Sequence, residues 1–75
     1  MTIKYPIERP YGGSPLSKLR VKRLLLLALS PSAWHKRFYS QYCALRNEGL
    51  TGWVFGTAYI TEEGLAELER LKNEQ

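Results

Sequence analysis

The sequence holds few of the residues that make chemistry easy to recognise. It has one cysteine, Cys43, and one histidine, His35. A single thiol closes no internal disulfide and builds no thiolate metal site; this fits a reducing compartment, and the cytoplasm is the expected location. Cys43 lies off the apolar stripe of its segment, where exposure is expected, and it has no neighbouring base that would make it a nucleophile. His35 has no His, Cys or carboxylate partner at ligand spacing, so no metal site is expected. Its two readings are a phosphate-contacting or pH-sensitive side chain and an ordinary surface residue. A glycine-rich phosphate loop, a triad and a paired-carboxylate motif are all missing, and the expectation is a non-enzyme with no catalytic residues and no cofactor. Long apolar runs are missing too: Leu24 to Leu29 is six residues, against the roughly 20 needed to cross a bilayer. Met1 to Pro10 lacks the apolar core of a secretory leader, so no membrane partner is expected.

Acidic residues are scarce in one part of the chain only. Residues 1–46 carry nine Lys or Arg against Glu8, while residues 47–75 carry Arg70 and Lys72 against six glutamates, and the whole chain is +4. The front is basic and the tail acidic. A basic half attracts polyanions by long-range steering and counterion release, which makes a nucleic acid the first partner to consider; the other reading is ordinary solubility.

At 75 residues this is one small domain, of a size whose core rarely contributes more than about 3–5 kcal/mol. Residues 1–13, with Pro6, Pro10, Gly12 and Gly13, read as an N-terminal arm, and residues 14–75 as the domain proper. Ile3 to Ile7 can form a short strand pairing with a later hairpin. Lys4 and Arg9 either reach a nucleic-acid backbone or lie on an arm that packs across the domain or frays. Ser14-Pro15 is N-cap and N1 chemistry and predicts a helix from Pro15 to about Leu29. Val21, Leu24, Leu25 and Ala28 share its buried face. Leu26, Leu27 and Leu29 make its last turn apolar nearly all round, which predicts burial on several sides or a homodimer through that surface. Lys18 and Lys22 take the polar side, with Arg20 and Arg23 at its edges, as phosphate contacts or as a solvated face.

Ser30-Pro31 repeats the cap and predicts a second helix to Asn47. Trp34, Phe38, Tyr42 and Leu45 fall on one stripe of it. Gly49 supplies a left-handed helix exit followed by the apolar Leu50, and Gly52 adds a flexible point. Trp53 to Ile60 reads as a hairpin turning at Gly56-Thr57. Thr61 caps a last helix with Glu62 and Glu63 in its first turn, Leu65, Leu68 and Leu71 as its buried stripe, and Glu63, Glu67, Arg70 and Glu74 as its wet face. Of the many aromatics, Tyr11 and Tyr39 are the two expected to be free for stacking.

The run LRNEGLTGWVFGTAYITEEGLAELERL, Leu45 to Leu71, resembles the back half of a winged helix-turn-helix domain. It has the L-x-x-x-G-L exit of a recognition helix, a short wing, and I-T-x-x-G-x-x-x-L opening a terminal helix, as in MarR- and PadR-like regulators and small phage or prophage proteins. The resemblance implies an α+β winged-helix-like fold of three helices and a hairpin. It also implies a small DNA-binding regulator or accessory factor of phage or mobile-element type, bound to double-stranded DNA. The helix around 33–47 would read the major groove through Lys36, Arg37, Tyr39, Ser40 and Gln41, with Lys18, Lys22 and Arg23 on phosphates. Two departures support a rival expectation of a protein-interaction module, an inhibitor or adaptor: only Ser30 to Ala44 is available for the middle helix and turn, and no Lys or Arg lies between Thr51 and Thr61.

Overall fold

The computed structural model describes residues 3–10, 12–30 and 37–74. Among them the order is α1 (Lys18–Leu27), α2 (Tyr39–Asn47), β1 (Thr51–Val54), β2 (Thr57–Ile60) and α3 (Glu62–Asn73). This is the expected small α+β arrangement of three helices and one antiparallel hairpin. No helix among the described residues is long and apolar enough to cross a membrane.

α1 buries Val21, Leu24, Leu25 and Ala28, as its periodicity predicts. It begins three residues later than the Ser14-Pro15 pair suggests, because Leu16 stays extended. Leu16 and Ile7 exchange backbone hydrogen bonds of 2.8 and 2.9 Å, and both side chains are buried. Two bonds and two enclosed apolar groups outweigh one extra helical turn, so Ser17 becomes the N-cap and accepts from the Arg20 N–H. The arm therefore pairs with the approach to α1 and not with the hairpin, and Ile3 and Tyr5 pack against the core beside Ile7. At the other end the cap is Ala28, and Leu26, Leu27 and Leu29 remain 41, 38 and 48% exposed. Burial on several sides within the chain does not occur for them.

The expected helix from Pro31 lies in part outside the described residues, as do Trp34 and His35. Regular helix starts at Tyr39, since Phe38, at φ −110° and ψ 25°, has left the helical region. Tyr42, Cys43, Ala44 and Leu45 are all buried, four successive positions that enclose the middle of α2 on most sides. Cys43 is thus not the exposed thiol its position off the stripe suggested. The Tyr42 hydroxyl donates to the Leu24 carbonyl at 2.7 Å and ties α2 to α1; burial pushes its pKa up to about 12.

α2 ends as the sequence predicts. Gly49 has φ +81°, its N–H donates to the Arg46 carbonyl, and the Leu50 N–H donates to the Leu45 carbonyl, the paired bonds of a Schellman exit. Thr61 locks that exit onto α3. Its N–H donates to the Leu50 carbonyl and its hydroxyl to the Gly49 carbonyl, while its Oγ1 accepts from the Gly64 N–H. A Cβ on Gly64 would overlap the Leu50 carbonyl oxygen, so glycine is what allows this approach. The two glycine motifs, far apart in sequence, are halves of one joint.

The hairpin pairs Thr51 with Ile60, Gly52 with Tyr59, Trp53 with Ala58 and Val54 with Thr57. Its turn is consequently Phe55-Gly56, one residue earlier than predicted, with positive φ at both central residues as a type I′ turn requires. Gly52 is no hinge either: the Tyr59 ring lies where its Cβ would be. On α3 the buried stripe is Gly64, Glu67, Leu68 and Leu71, and Leu65 is turned out at 44% exposure. Glu67, expected on the wet face, is 6% exposed. It accepts from the Tyr5 hydroxyl and from Arg70 Nε at 2.8 Å. Burial pushes its carboxyl up, but the hydrogen bonds from Arg70 and Tyr5 and the charges of Arg70 and Lys18 outweigh that and hold it below the usual range.

Candidate nucleic-acid interface

The residues expected to read a groove or hold phosphates separate into two places. Lys36 lies outside the described residues. Tyr39 is 52% exposed at the start of α2, with Ser40 and Gln41 half-buried beside it, and Arg37 is exposed two residues before the helix. Tyr39, Ser40 and Gln41 share the first turn of α2, and Arg37 precedes it across the break at Phe38. Lys18 and Lys22 instead line a groove between α1 and α3 with Leu71 and Glu74, where the Lys18 ammonium pairs with Glu74 at 2.9 Å and lies 5.8 Å from the Tyr5 ring centre. Arg23 is exposed on the outer face of α1.

The arm supplies what the sequence only hinted at. Arg9 donates to Ser40 Oγ through Nε at 3.0 Å and Nη2 at 2.5 Å, which fixes residues 7–9 against the first turn of α2. Gly13, at φ +90°, leaves room for that guanidinium: a Cβ there would come within 2.5 Å of Arg9 Nη1. Beside it opens a cleft of about 270 Å³ lined by Arg9, Ser14, Ser17, Arg20 and Gln41, with no carboxylate among the described residues of its wall. Arg20 is exposed, and Gln41 Oε1 is enclosed without a hydrogen-bond partner. Among the described lining residues two guanidinium groups from separate segments converge with serine hydroxyls and face no carboxylate, a setting that an anionic oxygen would stabilise through charge-assisted bonds; the enclosed Gln41 Oε1 is itself an acceptor and takes no part in that.

Arg20 appears in the sequence only as an edge residue of α1. Its nearness to Arg9 depends on the Ile7 to Leu16 bridge, which no local pattern announces. Arg46 and Phe55 are surface groups that the patterns above do not single out. Arg46 stands seven residues after Tyr39, on the same helical face, a spacing that could have marked it. A turn at Gly56-Thr57 puts Phe55 in a strand, whereas the turn is Phe55-Gly56. Phe55 is fully exposed, at φ +50°.

No protein-family model, no curated protein and no solved structure matches this chain.

Proposed function

We propose that this protein binds nucleic acid, holding a backbone phosphate in the Arg9 and Arg20 cleft and presenting the first turn of α2 to duplex DNA. The observation that carries this reading is the convergence of the arm, the start of α1 and the start of α2 on one carboxylate-free basic cleft. The order of α2, its glycine exit, the hairpin and α3 supports reading the domain as winged-helix-like, with the hairpin as wing and Arg37, just before α2, near base edges. Burial of Tyr42 to Leu45 limits any reading surface to the two ends of α2. A small DNA-binding regulator or accessory factor is the role that fits.

The test is anisotropy of a labelled duplex titrated at several salt concentrations. We expect log affinity to fall linearly with log salt, and Arg20→Ala to reduce that slope by about one phosphate equivalent. Absence of binding at low salt would remove the proposal.

A second reading rests on a different observation. Leu19, Leu26 and Leu29 are 55, 41 and 48% exposed on α1 and the segment after it, and Leu27 is 38% exposed beside them. Such a surface suits a protein partner or a two-fold homodimer through Leu26, Leu27 and Leu29. A light-scattering mass equal to the monomer at high concentration would remove the dimer.

A further inference from the structure

A larger cleft, of about 510 Å³, runs along α2 beside the hairpin and is lined by Tyr39, Arg46, Trp53 and Gly56. That volume lies within the roughly 300–1,000 Å³ of small-ligand sites. Three features define what fits it. The first is a fixed aromatic wall. Trp53 meets Tyr42 edge to face, with centroids 6.3 Å apart and planes at 81°, and Tyr42 is itself anchored on the Leu24 carbonyl. Tyr39 stands 5.3 Å from Trp53 at a tilt of 40°, neither parallel nor edge-on, so the two rings do not close face against face. The second is charge: among the described lining residues Arg46 carries it and none is a carboxylate. The third is the adjacent turn, where Phe55 projects fully into solvent next to Gly56.

An aromatic wall with one guanidinium at its rim matches a flat ring that carries an anionic group a few bonds away. A nucleotide has that form. A base within a continuous duplex has both faces covered by its neighbours and cannot enter; an unstacked one can, and stacking on protein rings is tolerant of which base it is. We infer that the cleft between α2 and the hairpin receives an unpaired nucleobase, with Tyr39 and Trp53 against the ring and Arg46 on its phosphate. This rests on the nucleic-acid reading above and narrows it: the preferred ligand is a duplex interrupted by an unstacked base.

The test compares two labelled duplexes that differ by one extra unpaired adenine, using anisotropy at one salt concentration. The interrupted duplex should bind about tenfold more tightly, as one stacked base allows. In Tyr39→Ala the ratio of the two affinities should fall to about one, and circular dichroism melting checks that this half-exposed position leaves the fold intact. With 2-aminopurine as the unpaired base, its fluorescence should drop on binding the native protein and not on binding Tyr39→Ala. Equal affinity for both duplexes, or a preference that survives Tyr39→Ala, would overturn this inference while leaving salt-dependent duplex binding standing. If neither duplex binds at low salt, the nucleic-acid reading falls and this one with it.

Discussion

The junction of α2, β1 and α3 and the face made by the arm, the start of α2 and the hairpin tip are built by opposite rules. At the junction the polar groups of the α2 exit and the α3 start answer one another: Gly49, Leu50, Thr61 and Gly64 share a closed set of hydrogen bonds. Nearby Glu67 has Tyr5 and Arg70. On the other face Arg9 and Arg20 meet no carboxylate in their cleft, Gln41 Oε1 and Trp53 Nε1 are enclosed without partners, and Phe55 is left wholly in solvent. Buried polar atoms are normally satisfied, and large apolar tips are normally covered. The polar groups of one region are closed among themselves, and two enclosed polar atoms of the other are not.

The largest test of that division is Gly64→Ala. The new methyl group would collide with the Leu50 carbonyl oxygen and crowd Ile60 Cγ1. Neither the backbone carbonyl nor the cap around Thr61 can move without breaking the joint, so we expect a loss of about 3 kcal/mol, at the upper end of typical overpacking. For a domain of this size that is a fall in melting temperature of about 15 °C. A shift of only a few degrees would mean that the joint is not closely packed.

Glu67→Gln sharpens the comparison through pH. The native carboxyl is held below its ordinary value of 4.5. A depressed carboxyl contributes stability that is present above the unfolded-state value and is lost as pH falls through it towards the folded one. The Gln variant keeps an acceptor for Tyr5 but loses the charge facing Arg70. Urea unfolding should show it less stable than the native protein by about 1 kcal/mol at pH 6, and the gap should narrow at pH 3. An equal gap at both pH values would show that the ionised carboxyl does not contribute.

Most of the second half of the chain was legible because its signals are local. A glycine after the last helical turn, a threonine before two glutamates and alternating strand residues each have one cheap conformation. Of the expected stripe Leu68 and Leu71 are buried and Leu65 is not, because Gly64 admits a closer approach than leucine, which shifts the start of the buried face to Gly64 and carries Glu67 inside with it. Neither Glu67 nor its partner Tyr5, 62 positions earlier, announces that contact. The late start of α1 has the same origin. Ser14-Pro15 is a sound cap pattern, yet the nonlocal pairing of Leu16 with Ile7 prevails. The Arg9 and Arg20 cleft follows from that pairing, so residues singly legible as cations come together only through tertiary contact.

The smallest effect we expect is also the most pointed. Phe55 sits at φ +50° in a turn where asparagine and glycine are at ease, and its ring is wholly exposed. A left-handed backbone costs a bulky residue about 1 kcal/mol, and no burial of the ring offsets it. Phe55→Asn should therefore stabilise the isolated domain, by about 0.5–1 kcal/mol, raising the melting temperature by about 4 °C. If the tip serves the neighbouring base cleft, the same variant should bind the interrupted duplex more weakly although it is the more stable protein. Greater stability with binding unchanged would make Phe55 a residue tolerated at the turn; greater stability with weaker binding would place it with Tyr39, Arg46 and Trp53 on the working face.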